Sequence, residues 1–311
     1  MDLVTAAFNV ALVAFITSTM LAAGLGTRIA DLVAVLRRGS LLALVLAANL
    51  VVVPLLGWAV AWLFGLSTAA TIALILVASS PGAPFGAKVA MIQRGDVVTG
   101  SSLQVLLAAI GSVSFPLTAN VLIGWAGVGG DLALPVGDLV RSVAVLQLVP
   151  FAVGLALRHW SSDTATSWGA SAQRVSSLSF VAVLVLGLGS SWEQIVSLLG
   201  SRTLLAAGVF TFLAAVAGGL LASGSPVRRT TMGGIAPLRN AGPAFAAVAI
   251  AFGSDPEILA ALSGILLVGL VVCLPVAARL ASSRSENSDP AQDAQPPAGQ
   301  GSPSEAPATG R

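Results

Sequence analysis

Residues 79–96 read SSPGAPFGAKVAMIQRGD and interrupt a long apolar segment that is otherwise typical of a membrane-spanning helix. Two prolines and two glycines fall between Pro81 and Gly86, and these residue types remove backbone donors and disfavour helical geometry. At membrane depth, backbone groups without helical partners are tolerated only beside protein or water. Lys88, the only lysine of the chain, follows the break at once, and an ionisable residue at this depth indicates a functional site.

The composition of the chain is that of an integral membrane protein. Of its 311 residues, 56% are hydrophobic and 9% are charged, and the mean hydropathy is +0.94. A soluble domain of this size would not tolerate such a surface. The fourteen arginines are scattered between apolar segments rather than clustered, which argues against nucleic-acid binding. The single cysteine, Cys273, excludes a disulfide or a cysteine-based metal site within one chain.

The apolar runs predict an all-α fold with about nine transmembrane helices. A bilayer core of roughly 30 Å needs roughly 20 apolar residues per helix. Runs of this length lie at about 4–25, 40–64, 68–93, 96–124, 138–158, 175–193, 203–223, 229–251 and 256–281. Most arginines lie in alternate loops, so we expect a protein of the inner (plasma) membrane with its N-terminus outside and its C-terminus in the cytoplasm.

The C-terminal end differs in composition from the rest of the chain. After Ser282 the sequence consists mainly of Ser, Pro, Gln, Ala and Gly, which cannot bury enough apolar surface to order itself. We therefore divide the chain into a transmembrane domain over residues 1–282 and a disordered cytoplasmic tail over 283–311.

A second break interrupts the eighth apolar run, where residues 233–243 read GGIAPLRNAGP around the cation Arg239. The third and eighth spans are five spans apart, so they would cross the membrane in opposite directions. Gly/Pro-interrupted helices in corresponding positions of two halves indicate an inverted-repeat secondary transporter with its site near the midplane. Either break alone could be an ordinary proline kink. Two matching breaks, each beside a lone cation, favour the transporter.

The residues in and around these breaks resemble the bile acid:sodium symporter family over essentially residues 4–281. The first-helix resemblance lies in Thr19-Met20 and Gly24-Leu25-Gly26. The first break contributes Pro81-Gly82 followed by Arg94-Gly95-Asp96, which is a fairly specific spacing, and the second contributes Arg239-Asn240-Ala241-Gly242.

The resemblance implies two inverted repeats that form a panel domain and a core domain. The panel would comprise about 4–25, 138–158 and 175–193, and the core about 40–124 and 203–281, with its two discontinuous helices crossing. Many bacterial members have ten helices, so nine runs suggest that the first bacterial helix is absent here.

The sequence departs from this family at the positions where sodium ligands would lie. The family's usual Ser-Asn pair falls on Gly86-Ala87, its Glu on Ile235 and its Gln on Arg239. Gly100 and Gln104 stand where hydroxyl ligands are common, and Asn49 stands where a Gln is frequent. Because sodium prefers several hard oxygen ligands, sodium binding stays possible but its usual ligands are largely missing.

Two cationic residues lie at or beside the positions where the family's usual ligands are missing. Lys88 and Arg239 could neutralise the carbonyls and half-helix ends that sodium would otherwise neutralise. Alternatively, Lys88 could reach along its helix towards the cytoplasmic interface, where Arg94 already lies. The predicted substrate- and ion-binding residues are Lys88, Arg239, Asn240, Asn49, Gln104, Pro84, Gly86 and Pro237. We expect no catalytic residue, resident metal or cofactor.

Two other polar residues have structural interpretations. Asp96 begins the fourth span, where a carboxylate caps free N–H groups and suits the helix dipole. His159, the sole histidine, is expected in the loop between the fifth and sixth spans as a solvated residue.

The predicted function is secondary active transport of a small organic anion, either bile-acid-like or another small carboxylate, by alternating access at the helix crossover. The alternative is a non-transporting membrane sensor or scaffold of the same fold. An enzyme is disfavoured because the sequence offers no buried His, Cys or carboxylate constellation. Coupling to sodium, to protons or to neither stays open at this point, as do the direction of transport and the oligomeric state.

Overall fold

The computed structural model describes residues 3–83, 85–128, 135–190, 193, 196, 198 and 200–286, and the part of the chain that it describes is helical without any strand. The helices are α1 Leu3–Gly26, α2 Ile29–Leu36, α3 Gly39–Ala47, α4 Val53–Leu63, α5 Thr68–Ser79, α6 Phe85–Ile92, α7 Val97–Ala126, α8 Val136–Trp160, α9 Ser162–Ser190, α10 Arg202–Leu220, α11 Pro226–Ile235, α12 Ala241–Ala251 and α13 Pro256–Glu286. A π-helical turn, Ala48–Val52, joins α3 to α4.

Six helical segments among the described residues are long and apolar enough to cross a membrane. They are Ala6–Gly26, Gly39–Leu63, Val97–Ala126, Val136–Trp160, Arg202–Leu220 and Pro256–Ser282. The apolar helices α5 and α12 are shorter because the first break ends α5 and the second break precedes α12. Helix α9 falls outside this set because its N-terminal half is rich in polar residues. The protein is therefore an all-helical, multi-pass membrane protein.

Several predicted boundaries are wrong. Helix α9 begins at Ser162 rather than near residue 175, since the Ser161 hydroxyl accepts the amide hydrogen of Thr164 and starts the helix within a polar stretch. His159 consequently lies in the last turn of α8 and not in a loop. The short helix α2 was also not predicted.

The predicted tail, 283–311, overlaps the end of α13. This helix continues to Glu286, because a helix that is already formed extends readily through residues such as Arg and Glu. The rest of the predicted tail lies outside the described residues.

Helices α1, α8 and α9 pack against one another as a group. Gly24 and Gly154 lie where α1 crosses α8, and a Cβ atom on Gly154 would come within 2.5 Å of the carbonyl oxygen of Leu21. Small residues allow helix backbones to approach closely in a membrane. The close contact fixes α1 and α8 next to each other.

Helix α5 is the centre of the second group of helices. All of its residues from Ala70 to Ser79 are buried, and it contacts α4, α7, α12 and α13. A helix that is apolar on every side belongs in the interior of a bundle. Its C-terminal end therefore places the first break deep inside the protein.

The two breaks meet in space. The backbone N–H of Asn240 donates to the carbonyl oxygen of Ser80 at 2.9 Å, and α6 contacts α11 while α5 contacts α12. Gly82 has a φ of 79°, and a Cβ atom there would come within 2.6 Å of the carbonyl oxygen of Gln104 on α7. Glycine thus allows the first break to lie directly against α7.

Candidate functional site

The site begins with an irregularity in the span formed by α3 and α4. In the π-helical turn the N–H of Val53 donates to Ala48 rather than to Asn49, and Pro54 has no N–H to offer. The carbonyl oxygen of Asn49 is therefore left without a partner in its own helix. A polar backbone group is exposed to the protein interior at this depth.

Arg239 in the second break supplies the missing donors. Its Nη1 donates to Oδ1 of Asn49 at 2.8 Å and to the carbonyl oxygen of Ala236 at 3.4 Å. Its Nη2 donates to the carbonyl oxygens of Asn49 at 3.1 Å and Ala78 at 2.7 Å. The side chain is 5% exposed. The guanidinium thus binds three separate segments of the chain at once.

The charge of Arg239 is compensated by oriented dipoles. Ala78 lies in the last turn of α5, and Ala236 caps the C-terminal end of α11. The C-terminal end of a helix carries partial negative charge, which favours a cation. Among the described residues the one ion pair joins Asp96 to Arg228, so no carboxylate takes part in this compensation there.

Asn240 organises the second break around this guanidinium. Its Oδ1 accepts the N–H of Gly242 and caps α12. Its Nδ2 donates to Oε1 of Gln147 on α8 at 3.0 Å, and its backbone N–H binds Ser80. One residue therefore connects the second break to the first break and to α8.

Gln104 and Gly86 share one space behind the breaks. Nε2 of Gln104 donates to the carbonyl oxygen of Ile235 at 3.2 Å, and a Cβ atom on Gly86 would lie 2.5 Å from that nitrogen. The amide of Gln104 therefore occupies the volume that a side chain at position 86 would need. A serine at position 86 would have to displace it.

A cavity of about 230 Å³ lies between the group of α1 and α9 and the two breaks. Its lining is mainly apolar and includes the aromatic rings of Phe15, Phe85, Phe180 and Phe210. The polar side chains of the lining outside the breaks include Thr19, Gln173, Ser176 and Ser177, and the second break contributes Pro237, Arg239 and Asn240. Thr19 and Ser176 share a hydrogen bond of 2.6 Å between their hydroxyl oxygens. Such a pocket suits a small ligand with an apolar body.

The structure brings some of the predicted residues to the cavity and leaves others behind it. Pro237, Arg239 and Asn240 line it. Asn49 lies behind Arg239 as its partner, and Gln104 and Gly86 lie behind the breaks rather than in the lining.

The two remaining predicted residues belong to the first break. Lys88 lies in α6, but its side chain is not among those described. Pro84 lies outside the described residues. The joint role of Lys88 and Arg239 therefore stays a prediction.

Gln147 on α8 is a polar residue within an apolar run, of the kind expected to bond across helices, whereas sequence reasoning missed the contribution of α9. Gln147 binds the second break, and Phe180 and Ser176 form much of the opposite wall, where the Phe180 ring stacks at a tilt on Phe15 with 5.1 Å between centroids. Phe180 and Ser176 lie in ordinary apolar or polar helical runs that carry no local signal. The proline at position 54, five residues after Asn49, was a usable signal of a helix irregularity.

The chain matches the model of a known protein family. The model of the Sodium Bile acid symporter family matches residues 13–214, a segment that includes the second half of α1, the first break and most of α10. This finding confirms the resemblance seen in the first helix and around the first break. No curated protein matches the chain. Among the described residues there is also no group of three or more His, Cys, Asp and Glu side chains that could hold a metal ion.

The residues that the resemblance places at the family's sodium positions do not fit sodium. Gly86 and Ile235 offer no side-chain oxygen, and the guanidinium of Arg239 already binds both oxygens of Asn49. Sodium is normally held by several oxygen ligands, preferably with one charged. Here both oxygens of Asn49 face the N–H groups of Arg239 instead.

Proposed function

This chain belongs to the sodium bile acid symporter family, a family of transporters, and from that premise we propose that it carries a small organic anion through the cavity beside Arg239. The observation on which the proposal depends is the cavity itself, which combines an apolar lining with one buried guanidinium. The described lining residues include no carboxylate that would repel an anion. An apolar body and one negative charge are the complementary ligand features.

The size of the cavity favours a small carboxylate over a bile-acid-like molecule. Pockets for drug-sized ligands measure roughly 300–1,000 Å³, whereas this cavity measures about 230 Å³. The rings of Phe15, Phe180 and Phe210 favour an aromatic or branched aliphatic body. The hydroxyls of Thr19 and Ser177 add polar contacts on one side.

The transport mechanism that we propose is alternating access between a panel and a core. Helices α1, α8 and α9 would form the panel, and the remaining helices the core. The packing of α1 against both α8 and α9 and the position of the cavity beside α1 and α9 support this division. The third of nine spans would consist of α5 and α6, and the eighth of α11 and α12. These two spans would be related by an inverted repeat and would cross where the N–H of Asn240 binds the carbonyl oxygen of Ser80.

The membrane orientation that we propose follows from the arginine distribution. The protein would lie in the inner membrane with its N-terminus outside and its C-terminus in the cytoplasm. Substrate movement would not require sodium at the family's usual side-chain ligands, since Arg239, Gly86 and Ile235 replace them.

Uptake by the purified protein in sealed proteoliposomes tests the proposal. We expect saturable uptake of small aromatic or branched carboxylates and competition among them. Ser177→Trp would fill the cavity and abolish uptake. The matched control Leu178→Trp adds the same ring at the next position, which is 71% exposed, and would transport normally.

The same experiment separates the transporter from the alternative. A non-transporting sensor would bind carboxylates, with a rise in melting temperature that Ser177→Trp removes, yet show no uptake. If none of the tested carboxylates binds or is taken up, the proposal that the substrate is an organic anion is wrong.

A further inference from the structure

The backbone around Arg239 builds a cage of four oxygens: Oδ1 of Asn49 and the carbonyl oxygens of Asn49, Ala78 and Ala236. Each backbone oxygen lacks a regular helical partner for its own reason. The π-helical turn and Pro54 free the carbonyl of Asn49. Helix α5 ends at Ser79 and helix α11 at Ile235, which leaves the carbonyls of Ala78 and Ala236 past the last regular helical bonds.

The chemistry of this cage is that of a cation site. Its four oxygens are neutral, hard ligand atoms that converge on one buried point, and two of them belong to helix C-terminal ends. Rings and clusters of backbone carbonyls hold monovalent cations in membrane proteins because they replace the hydration shell. Nothing in the cage is an N–H donor except the arginine that enters it.

We propose that the guanidinium of Arg239 is a built-in cation that permanently fills a small-cation site formed by these four oxygens. The oxygens come from α5, the π-helical turn and the end of α11, so the tethered charge stabilises the junction of three segments. An inorganic cation would bind and leave, whereas this charge stays with the chain. The wild-type cage is therefore closed to sodium and other free cations.

Removal of the side chain opens the site in this proposal. In Arg239→Ala the four oxygens keep their places but lose their counter-charge, and free guanidinium or sodium can enter. Binding to the folded state alone stabilises it by mass action. At about ten times the dissociation constant, the expected rise in melting temperature of a chain of this length is roughly 2 °C.

The experiment measures thermal unfolding of the purified full chain in detergent. Chloride salts of choline, sodium and guanidinium, the last below denaturing concentrations, are exchanged at constant ionic strength. We expect Arg239→Ala to melt below the wild type and to be stabilised saturably by guanidinium or sodium. The matched control Arg202→Ala removes an exposed arginine and would not respond. Asn49→Leu in the Arg239→Ala background removes one cage oxygen and would weaken the rescue at least fivefold in apparent affinity.

Two results would overturn the proposal. One is an Arg239→Ala protein whose melting temperature responds to neither cation or responds no more than Arg202→Ala. The other is a wild-type protein that sodium stabilises relative to choline, since its cage would then be open. If Arg239→Ala does not fold, two measurements still test the proposal. One compares the wild type in sodium and in choline, and the other repeats the cation series on the milder variant Arg239→Gln. No transport measurement enters, so failure of the proposed function and failure of the cage are seen separately.

Discussion

Arg239 donates to two oxygens of Asn49, one in the side chain at 2.8 Å and one in the backbone at 3.1 Å, across 190 residues of sequence. Paired donors from a planar guanidinium fix orientation as well as distance. The second break is thereby held against the span formed by α3 and α4. A buried arginine whose partners in the chain are all neutral oxygens is held in place by hydrogen-bond geometry rather than by an internal ion pair.

Asn49→Leu should destabilise the protein by about 1–3 kcal/mol, because a buried donor of Arg239 then loses its side-chain acceptor. The free energy of unfolding in sodium dodecyl sulfate measures this change. Ser112→Ala is the control, since the buried hydroxyl of Ser112 bonds only within its own helix. If both variants lose the same stability, the contact with Arg239 contributes nothing of its own.

Gly86→Ser should be destabilising by about 1–3 kcal/mol through overpacking. The new Cβ atom would lie 2.5 Å from Nε2 of Gln104 and would push the amide off the carbonyl oxygen of Ile235. Adding Gln104→Ala should recover much of the loss by making room. Gly189→Ser, at a position with open space around its Cβ, is the control. A Gly86→Ser protein as stable as that control would contradict the close approach.

Asn240→Ser should keep nearly normal stability but lose most transport. Serine retains a capping oxygen for α12, yet it cannot donate to Gln147 on α8. Asn240→Ala should also lose about 1 kcal/mol of stability with the cap. Uptake and melting temperature, measured on both variants, separate the two roles. Normal uptake by Asn240→Ser would show that the bond to Gln147 is dispensable.

The Asp96–Arg228 pair predicts a pH dependence of stability. Burial alone would raise the pKa of Asp96, but hydrogen bonds from Arg228 and Thr99 outweigh it and lower the pKa below 3.8. The stabilisation is therefore complete well above pH 3.8 and is lost as the pH falls through the lowered pKa.

Melting curves between neutral and acid pH test this dependence. The wild type should lose melting temperature below about pH 4. Asp96→Asn keeps the helix cap without the charge, so it should melt lower at neutral pH and change less in acid. Parallel curves for the two proteins would mean that the ion pair does not contribute.

Membrane orientation can be measured with one engineered thiol. In a Cys273→Ala background, Ser288→Cys should react with an impermeant reagent only after intact cells are permeabilised, because the arginine pattern predicts a cytoplasmic C-terminus. Asp131→Cys, in a loop predicted on the opposite side, should react without permeabilisation. The reverse labelling pattern would invert the topology.

Local signals explain what the sequence could predict. Proline and glycine act on their own backbone, so both breaks were predicted, and the cap by Asp96 at the start of α7 is confirmed by its bond to the amide of Thr99. Contacts between distant segments carry no such signal. The pairing of Arg239 with Ala78 and Asn49, and the approach of Gln147, depend on how the helices pack. The early start of α9 was missed because its polar first half lacks apolar periodicity.

The backbone hydrogen bond from Asn240 to Ser80 makes the two interrupted helices a single mechanical unit. A shift of one break therefore pulls on the other, and the guanidinium of Arg239 adds the turn at Asn49 to the same body. A ligand resting on this body would travel with it. In the proposed panel–core movement, the rearrangement that changes which side of the membrane reaches the cavity would then be absorbed where the panel joins the core, as at residues 27–28 between α1 and α2.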